Sequence, residues 1–265
     1  MLKEVVRLRQ QHPVMGTRKL YTLLESFMLA HCIKMGRDAL FDLLAANKLL
    51  VRKRKRHIKT TYSNHWLRKH PNLVTNYVPK TINQLWVSDL TYWKICDQKC
   101  VYISLVTDAY SRKILGYQVS ETMEAIESVK ALRMALATLQ GVKSNQLIHH
   151  SDRGIQYCSG VYVKLLQDYD IKISMTESGD PLDNAIAERI NGILKYEYLK
   201  YYNVKNLQDA KKCLMKAVQL YNQQRPHMSI SNLTPDKLHQ GSTVNTNRLW
   251  KNYYKKQNHT ITETL

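Results

Sequence analysis

The chain has 265 residues, 44% of them hydrophobic, which suits one large domain plus a small one, or two medium ones. It has no run of about eighteen apolar residues, and Met1-Leu2-Lys3-Glu4-Val5-Val6 lacks the apolar stretch of a signal peptide, so neither a transmembrane helix nor a secretory leader is expected. The formal net charge is +19. Residues 1–80 hold 17 Lys and Arg against 4 Asp and Glu, a bias that points to a polyanionic partner, of which nucleic acid is the commonest.

Five scattered cysteines fit a reducing cytosol better than a disulfide framework. Cys96 and Cys100 are close, but no second pair completes a zinc site. Tyr outnumbers Phe 17 to 2; tyrosines can stack on bases or bond phosphates, or simply sit half-buried.

In chain order, Leu2, Val5, Val6 and Leu8 predict an opening helix that ends near His12-Pro13. After Gly16-Thr17, residues 18–24 carry apolar side chains at helical spacing, and a second helix is predicted from Arg37 through Leu44. Two short helices joined by a turn, with Arg and Lys outward, suit a helix-turn-helix, although any small helical bundle shows this pattern. Arg18 and Lys19 of this region are expected to contact DNA. The block Arg52-Lys53-Arg54-Lys55-Arg56 repels itself unless an anion lies against it; phosphate contact and a solvated linker are the two readings. Residues 60–83, broken by Pro71 and Pro79, read as a connection.

From Leu85 the pattern changes to strands. Residues 85–93, 101–107 and 113–119 are rich in aromatic and β-branched types with short turns between, which predicts an antiparallel three-strand meander. A helix over 125–139, a buried strand over 147–152, a helix near 161–167 and a short strand over 171–175 follow. Gly179-Asp180-Pro181 marks a loop; a long helix begins near Asp183, and another spans 207–224. Strands first, then alternating helix and strand, is the order of an α/β, RNase H-like fold. The expected domains are a basic helical region (1–60), a linker (61–83), a catalytic core (84–240) and a C-terminal tail (241–265).

Phosphoryl transfer with two metal ions needs carboxylates that converge on one point. Asp89 lies inside an apolar strand among Trp86, Val87, Leu90 and Trp93, which is costly unless it meets a cation or a donor. Asp152 ends the strand over 147–152, and alternation puts Ile148, His150 and Asp152 on one face. Asn184, Glu188, Asn191 and Lys195 form a polar stripe at helical spacing, a pattern that is usually a solvent face. Asp108, before Ser111-Arg112, is the rival first carboxylate and could instead fix a hairpin. Asp183 could be a helix N-cap. Glu177 and Asp180 read as solvated loop acids. His150 could approach a phosphate or be packed and hydrogen-bonded. Arg153 and Gly154 stand where a phosphate could come close. His227 is expected to pack the last helix on the core.

The motifs Leu85-Trp86-Val87-Ser88-Asp89-Leu90-Thr91-Tyr92, Asp108-Ala109-Tyr110-Ser111-Arg112, His149-His150-Ser151-Asp152-Arg153-Gly154-Ile155-Gln156-Tyr157, Asp183-Asn184-Ala185-Ile186-Ala187-Glu188, Leu194-Lys195 and Tyr221-Asn222-Gln223-Gln224-Arg225-Pro226-His227 together resemble the second-reading-frame transposases of insertion-sequence family three, which carry a retroviral-integrase-like core. Thirty-five residues separate Asp152 from Glu188, as in that family. The resemblance implies an RNase H-like core in which Asp89, Asp152 and Glu188 bind magnesium, with manganese as a substitute. It implies cleavage at element ends and 3′-hydroxyl attack on target DNA. Lys195 is read as a contact near the scissile phosphate, against a plain surface lysine. The resemblance further implies a homo-oligomer on DNA, an upstream-frame partner product and a cytoplasmic, nucleoid-associated location. Two competing readings are an RNase H-like nuclease that cleaves without joining and a non-catalytic DNA-binding remnant of a mobile element.

Overall fold

The computed structural model describes residues 1–51, 66–75, 77–95, 99–140, 146–177 and 184–241. The basic block Arg52, Lys53, Arg54, Lys55 and Arg56 lies outside them, as do Cys96, Asp180 and Asp183.

Three helices open the chain: α1 (Leu2–Gln11), α2 (Thr17–Ala30) and α3 (Arg37–Ala46). The sequence reading had two. The middle helix is a full element because residues 25–30 contain neither Gly nor Pro, so the turn begun at Thr17 continues until Met28 is buried. Val5 and Leu8 of α1, Leu20 and Leu24 of α2, and Leu40 and Leu44 of α3 close a small core of their own. This bundle touches the rest of the protein through His12, whose Nδ1 lies 3.0 Å from the Tyr198 hydroxyl.

The larger unit is a five-stranded sheet: β1 (Leu85–Lys94), β2 (Cys100–Asp108), β3 (Ile114–Ser120), β4 (Ile148–Ser151) and β5 (Lys172–Met175), in the order β3-β2-β1-β4-β5. β1, β2 and β3 form the antiparallel meander, while β4 runs parallel to β1 and β5 parallel to β4. The middle strand, β1, is covered on both faces, so its start reads as an unbroken apolar run rather than an alternation. Trp86 faces a cluster built with α4 (Ala125–Ala137), α5 (Ile155–Cys158) and α6 (Gly160–Asp168). Trp93 packs on the opposite layer, formed by α7 (Ala185–Ile193) and α8 (Leu207–Gln224). A short α9 (Pro235–His239) ends the described chain. Gly116 lets α4 lie close on β3: a Cβ there would stand 2.0 Å from the Ala131 carbonyl oxygen.

The connecting segment is not a free tether. Leu73 N donates to Ser174 Oγ at 2.9 Å and Met175 N donates to the Pro71 carbonyl at 3.2 Å. It therefore covers the open edge of β5, satisfying groups that an exposed edge would leave unpaired. Among the described residues no helix is long and apolar enough to cross a membrane.

Candidate active site

Register places the first two acids. Ser88 on β1 pairs in parallel with Ser151 on β4, so Asp89 and Asp152 are the next positions on neighbouring strands. Adjacent strands lie about 4.8 Å apart, and paired residues of parallel strands share a face. Asp89 shares its face with Val87 and with Leu105 of β2, the side on which α7 packs.

α7 is fastened across this face by the stripe that resembled a solvent face. Asn184 Nδ2 donates to the Ser88 carbonyl at 3.0 Å, Asn191 Nδ2 to Asp89 Oδ2 at 2.7 Å, and Lys195 Nζ to Thr91 Oγ1 at 3.2 Å. Glu188 lies between Asn184 and Asn191 on the same helical face. Its charge and that of Asp152 both act on Asp89. Sequence reasoning missed the anchoring role of the two asparagines. The available signal was their spacing, four before and three after the glutamate.

Asp89 Oδ1 accepts from Leu90 N at 2.9 Å. Asp152 Oδ1 accepts from Gly154 N at 3.0 Å, and a Cβ at Gly154 would stand 2.9 Å from that oxygen and 2.7 Å from Gln156 Nε2, so a side chain there would displace one or both. Burial, then the neighbouring charge of Asp152, raises the Asp89 carboxyl to about 7; the Asn191 and Leu90 bonds oppose this, and Glu188 adds to it. Among the described residues no three His, Cys, Asp or Glu side chains are drawn tightly enough together to coordinate an ion. The three carboxylates meet through their charges.

A consequence for stability follows. With its carboxyl raised, folded Asp89 binds its proton more tightly than the unfolded chain does. Without divalent cation, stability is therefore expected to fall as pH rises from about 4 to about 7, by on the order of 2 kcal/mol after allowing for partial solvent access. Asp89→Asn should flatten that slope in thermal melts run from about pH 5 to about pH 8, whatever the amide costs in the bonds to Leu90 N and Asn191. Equal slopes in the two proteins would contradict it.

The rival acid has another job. Asp108 is fully buried; its Oδ1 accepts from Ser111 N (2.6 Å) and Ser111 Oγ (2.8 Å), and its Oδ2 from Asn83 N (2.8 Å). It ties the β2–β3 turn to the entry of β1. His150 is packed, with Nδ1 2.8 Å from Ser174 Oγ. His149, on the other face, lies 2.7 Å from Ser88 Oγ and 3.0 Å from the Tyr162 hydroxyl through Nε2, and burial lowers it to about 3, so it is neutral. His227 has Nδ1 3.0 Å from Ser229 Oγ and its ring edge-on to Tyr221.

The basic residues separate. Arg18 is exposed on α2. Lys19 is half-buried beside Glu197, Arg225 and Arg189, and burial, then Arg225, lowers its ammonium to about 8. Arg153 sits in the turn after Asp152 and Lys195 beside β1. Just past α7 the helix widens into a π-turn over Leu194–Tyr198, a distortion frequent at functional sites.

A mixed five-stranded sheet in the order β3-β2-β1-β4-β5 with helices on both faces defines an RNase H-like core. Two models described as integrase core domain match residues 79–181 and 169–235. The chain is 36% identical over 85% of its length to a 31 kDa protein of insertion element IS600 from Shigella sonnei, covering 82% of it. It is 31% identical to the transposase of IS629 from the same organism, over 84% of this chain and 73% of that one. Among solved structures, a simian T-cell lymphotropic virus intasome in complex with a PP2A regulatory subunit, B56 gamma, matches 86% of this chain and 76% of its own at a TM-score of 0.54 and 17% identity, a likeness of fold alone. The chain belongs to the insertion-sequence DDE transposases of the IS3 type, with an integrase catalytic core.

Proposed function

We propose that this transposase cuts DNA at the ends of its element and joins the freed 3′-hydroxyl to a target phosphodiester, with Asp89, Asp152 and Glu188 holding the divalent ions. The observation that carries this reading is the placement of Asp89 on β1, with Asp152 one residue past the parallel strand β4 and Glu188 on the helix that is bonded across β1, so that the charges of both bear on Asp89. Such convergence is costly for a fold unless a cation relieves it. The donors are all carboxylate oxygens, which suits magnesium, with manganese as a substitute. When bound, the ions supply charge neutralisation at the phosphoryl oxygens.

The protein's own part is positioning. Asn191 orients Asp89, the Gly154 amide orients Asp152, and Asn184 fixes the start of the helix that carries Glu188. Lys195, Arg153 and Arg18 are proposed as DNA contacts, together with the block Arg52, Lys53, Arg54, Lys55 and Arg56. Lys19 is assigned instead to docking α2 on the core, from its half-buried place beside Glu197 and Arg225. Domain limits near residues 60 and 84, assembly as a homo-oligomer on DNA and cooperation with an upstream-frame product complete the reading.

The test is incubation of the full chain with duplex DNA bearing an element end and a target duplex, in magnesium or manganese, with and without the upstream product. Metal-dependent nicks followed by joined products are expected. Cleavage without joining under every condition would favour the nuclease alternative, and no metal-dependent chemistry at all would favour the DNA-binding remnant.

A further inference from the structure

We propose that Tyr92 is a stacking seat for an unpaired nucleotide at the DNA end; this rests on the transposase reading of the neighbouring acids. Tyr92 stands on β1 three residues beyond Asp89, past the stretch Leu85–Ser88 that pairs with β4, and is 47% exposed. Its ring is held in place: Lys195 Nζ sits 4.0 Å from its centroid, itself bonded to Thr91 Oγ1 at 3.2 Å, and the Tyr196 ring lies 5.9 Å from the same ammonium. Across the strands Tyr92 pairs with Tyr102, which widens the aromatic surface.

A fixed ring beside a fixed cation matches the two halves of a nucleotide. The ring takes the face of a base and the cation favours its phosphate. In an intact duplex every base but those of the terminal pair is stacked on both faces, so a base inward of that pair reaches the ring only when it is unpaired or frayed. Unstacking an end costs a few kcal/mol, and stacking on protein aromatics returns about 1–3 kcal/mol per base. The seat therefore lowers the cost of opening a DNA end.

The experiment uses the full chain in metal-free buffer with two duplexes, one fully paired and one whose last two pairs are mismatched and carry 2-aminopurine. The wild type and Tyr92→Phe are expected to bind the frayed duplex about tenfold more tightly and to quench its fluorescence. Tyr92→Leu is expected to bind both duplexes alike, without quenching, while melting as the wild type does, since the side chain is largely exposed. A frayed-end preference that survives in Tyr92→Leu, or is absent from the wild type, overturns the proposal. If preference and quenching follow the aromatic ring but no joining is ever detected, the seat stands and the strand-transfer reading is what fails.

Discussion

Asp152→Asn and Glu188→Gln are each expected to lower strand cleavage and joining by about a thousandfold or more while leaving the fold intact. Both changes keep the shape of the side chain and remove one negative charge from a cluster that repels itself, so neither should destabilise the metal-free protein. On the proposed function, what they remove is a metal ligand. Divalent ions supply several kcal/mol of transition-state stabilisation in phosphoryl transfer, and each 1.36 kcal/mol is tenfold in rate. Asn at position 152 can still accept the Gly154 amide through its carbonyl oxygen, so the turn should hold. The informative control is Asp108→Asn. That carboxylate accepts three hydrogen bonds on its two oxygens, and an amide cannot accept on both sides. It should lose stability, visible in a thermal melt, and retain chemistry in whatever fraction stays folded. Should Asp152→Asn join DNA at the wild-type rate, the assignment of the triad would be wrong.

The second large effect lies away from the acids. Arg225 is 1% exposed and grips Glu197 with two bonds of 2.8 Å, Nε to Oε2 and Nη2 to Oε1. Burial pushes the Glu197 carboxyl up, but the bonds and charge of Arg225 outweigh it and hold the group below its ordinary value. Removing one partner leaves the other charge buried and uncompensated, so Arg225→Met is expected to cost about 3–5 kcal/mol. In a chain of this size that lowers the melting temperature by roughly 10 °C. Replacing both, as Arg225→Met with Glu197→Leu, should recover much of the loss, because a buried ion pair is often worth no more than apolar packing of the same volume. A double-mutant cycle in chemical denaturant measures the coupling. Wild-type stability in Arg225→Met alone would mean that Lys19, beside the same carboxylate, is a sufficient partner.

That pair shows how the helical region and the core are joined. Glu197 belongs to the π-turn that also holds Lys195, and Tyr198 in the same turn meets His12 of the N-terminal bundle. Lys19 of α2 adds its charge to Glu197. The basic bundle thus rests on the end of the helix that carries Glu188. None of this was legible beforehand: Arg225 stood out only as part of a motif, and Lys19 read as an outward-facing DNA contact.

Most of the element order was legible in the residues themselves. The meander, the strand before Asp152 and the helix over 207–224 came from aromatic and β-branched runs set against helical spacing. Those signals are local, and burial enforces them along a few consecutive residues. The acids were harder to choose. Periodicity put Asp89 and Asp152 on strands and Glu188 on a helix without preferring them to Asp108; the joint motif spacing made that choice. What only the tertiary structure decided is which polar groups face each other. Parallel pairing of β1 with β4 sets Asp89 beside Asp152, and helix packing turns Asn184, Asn191 and Lys195 from an apparent solvent face into a row of bonds to β1. Asp108, equally conspicuous in sequence, is turned inward to hold a turn. A side chain's type and spacing follow from the chain alone, whereas the charge environment of Asp89 depends on Asp152 and Glu188, which the chain holds far away and only the fold brings to it.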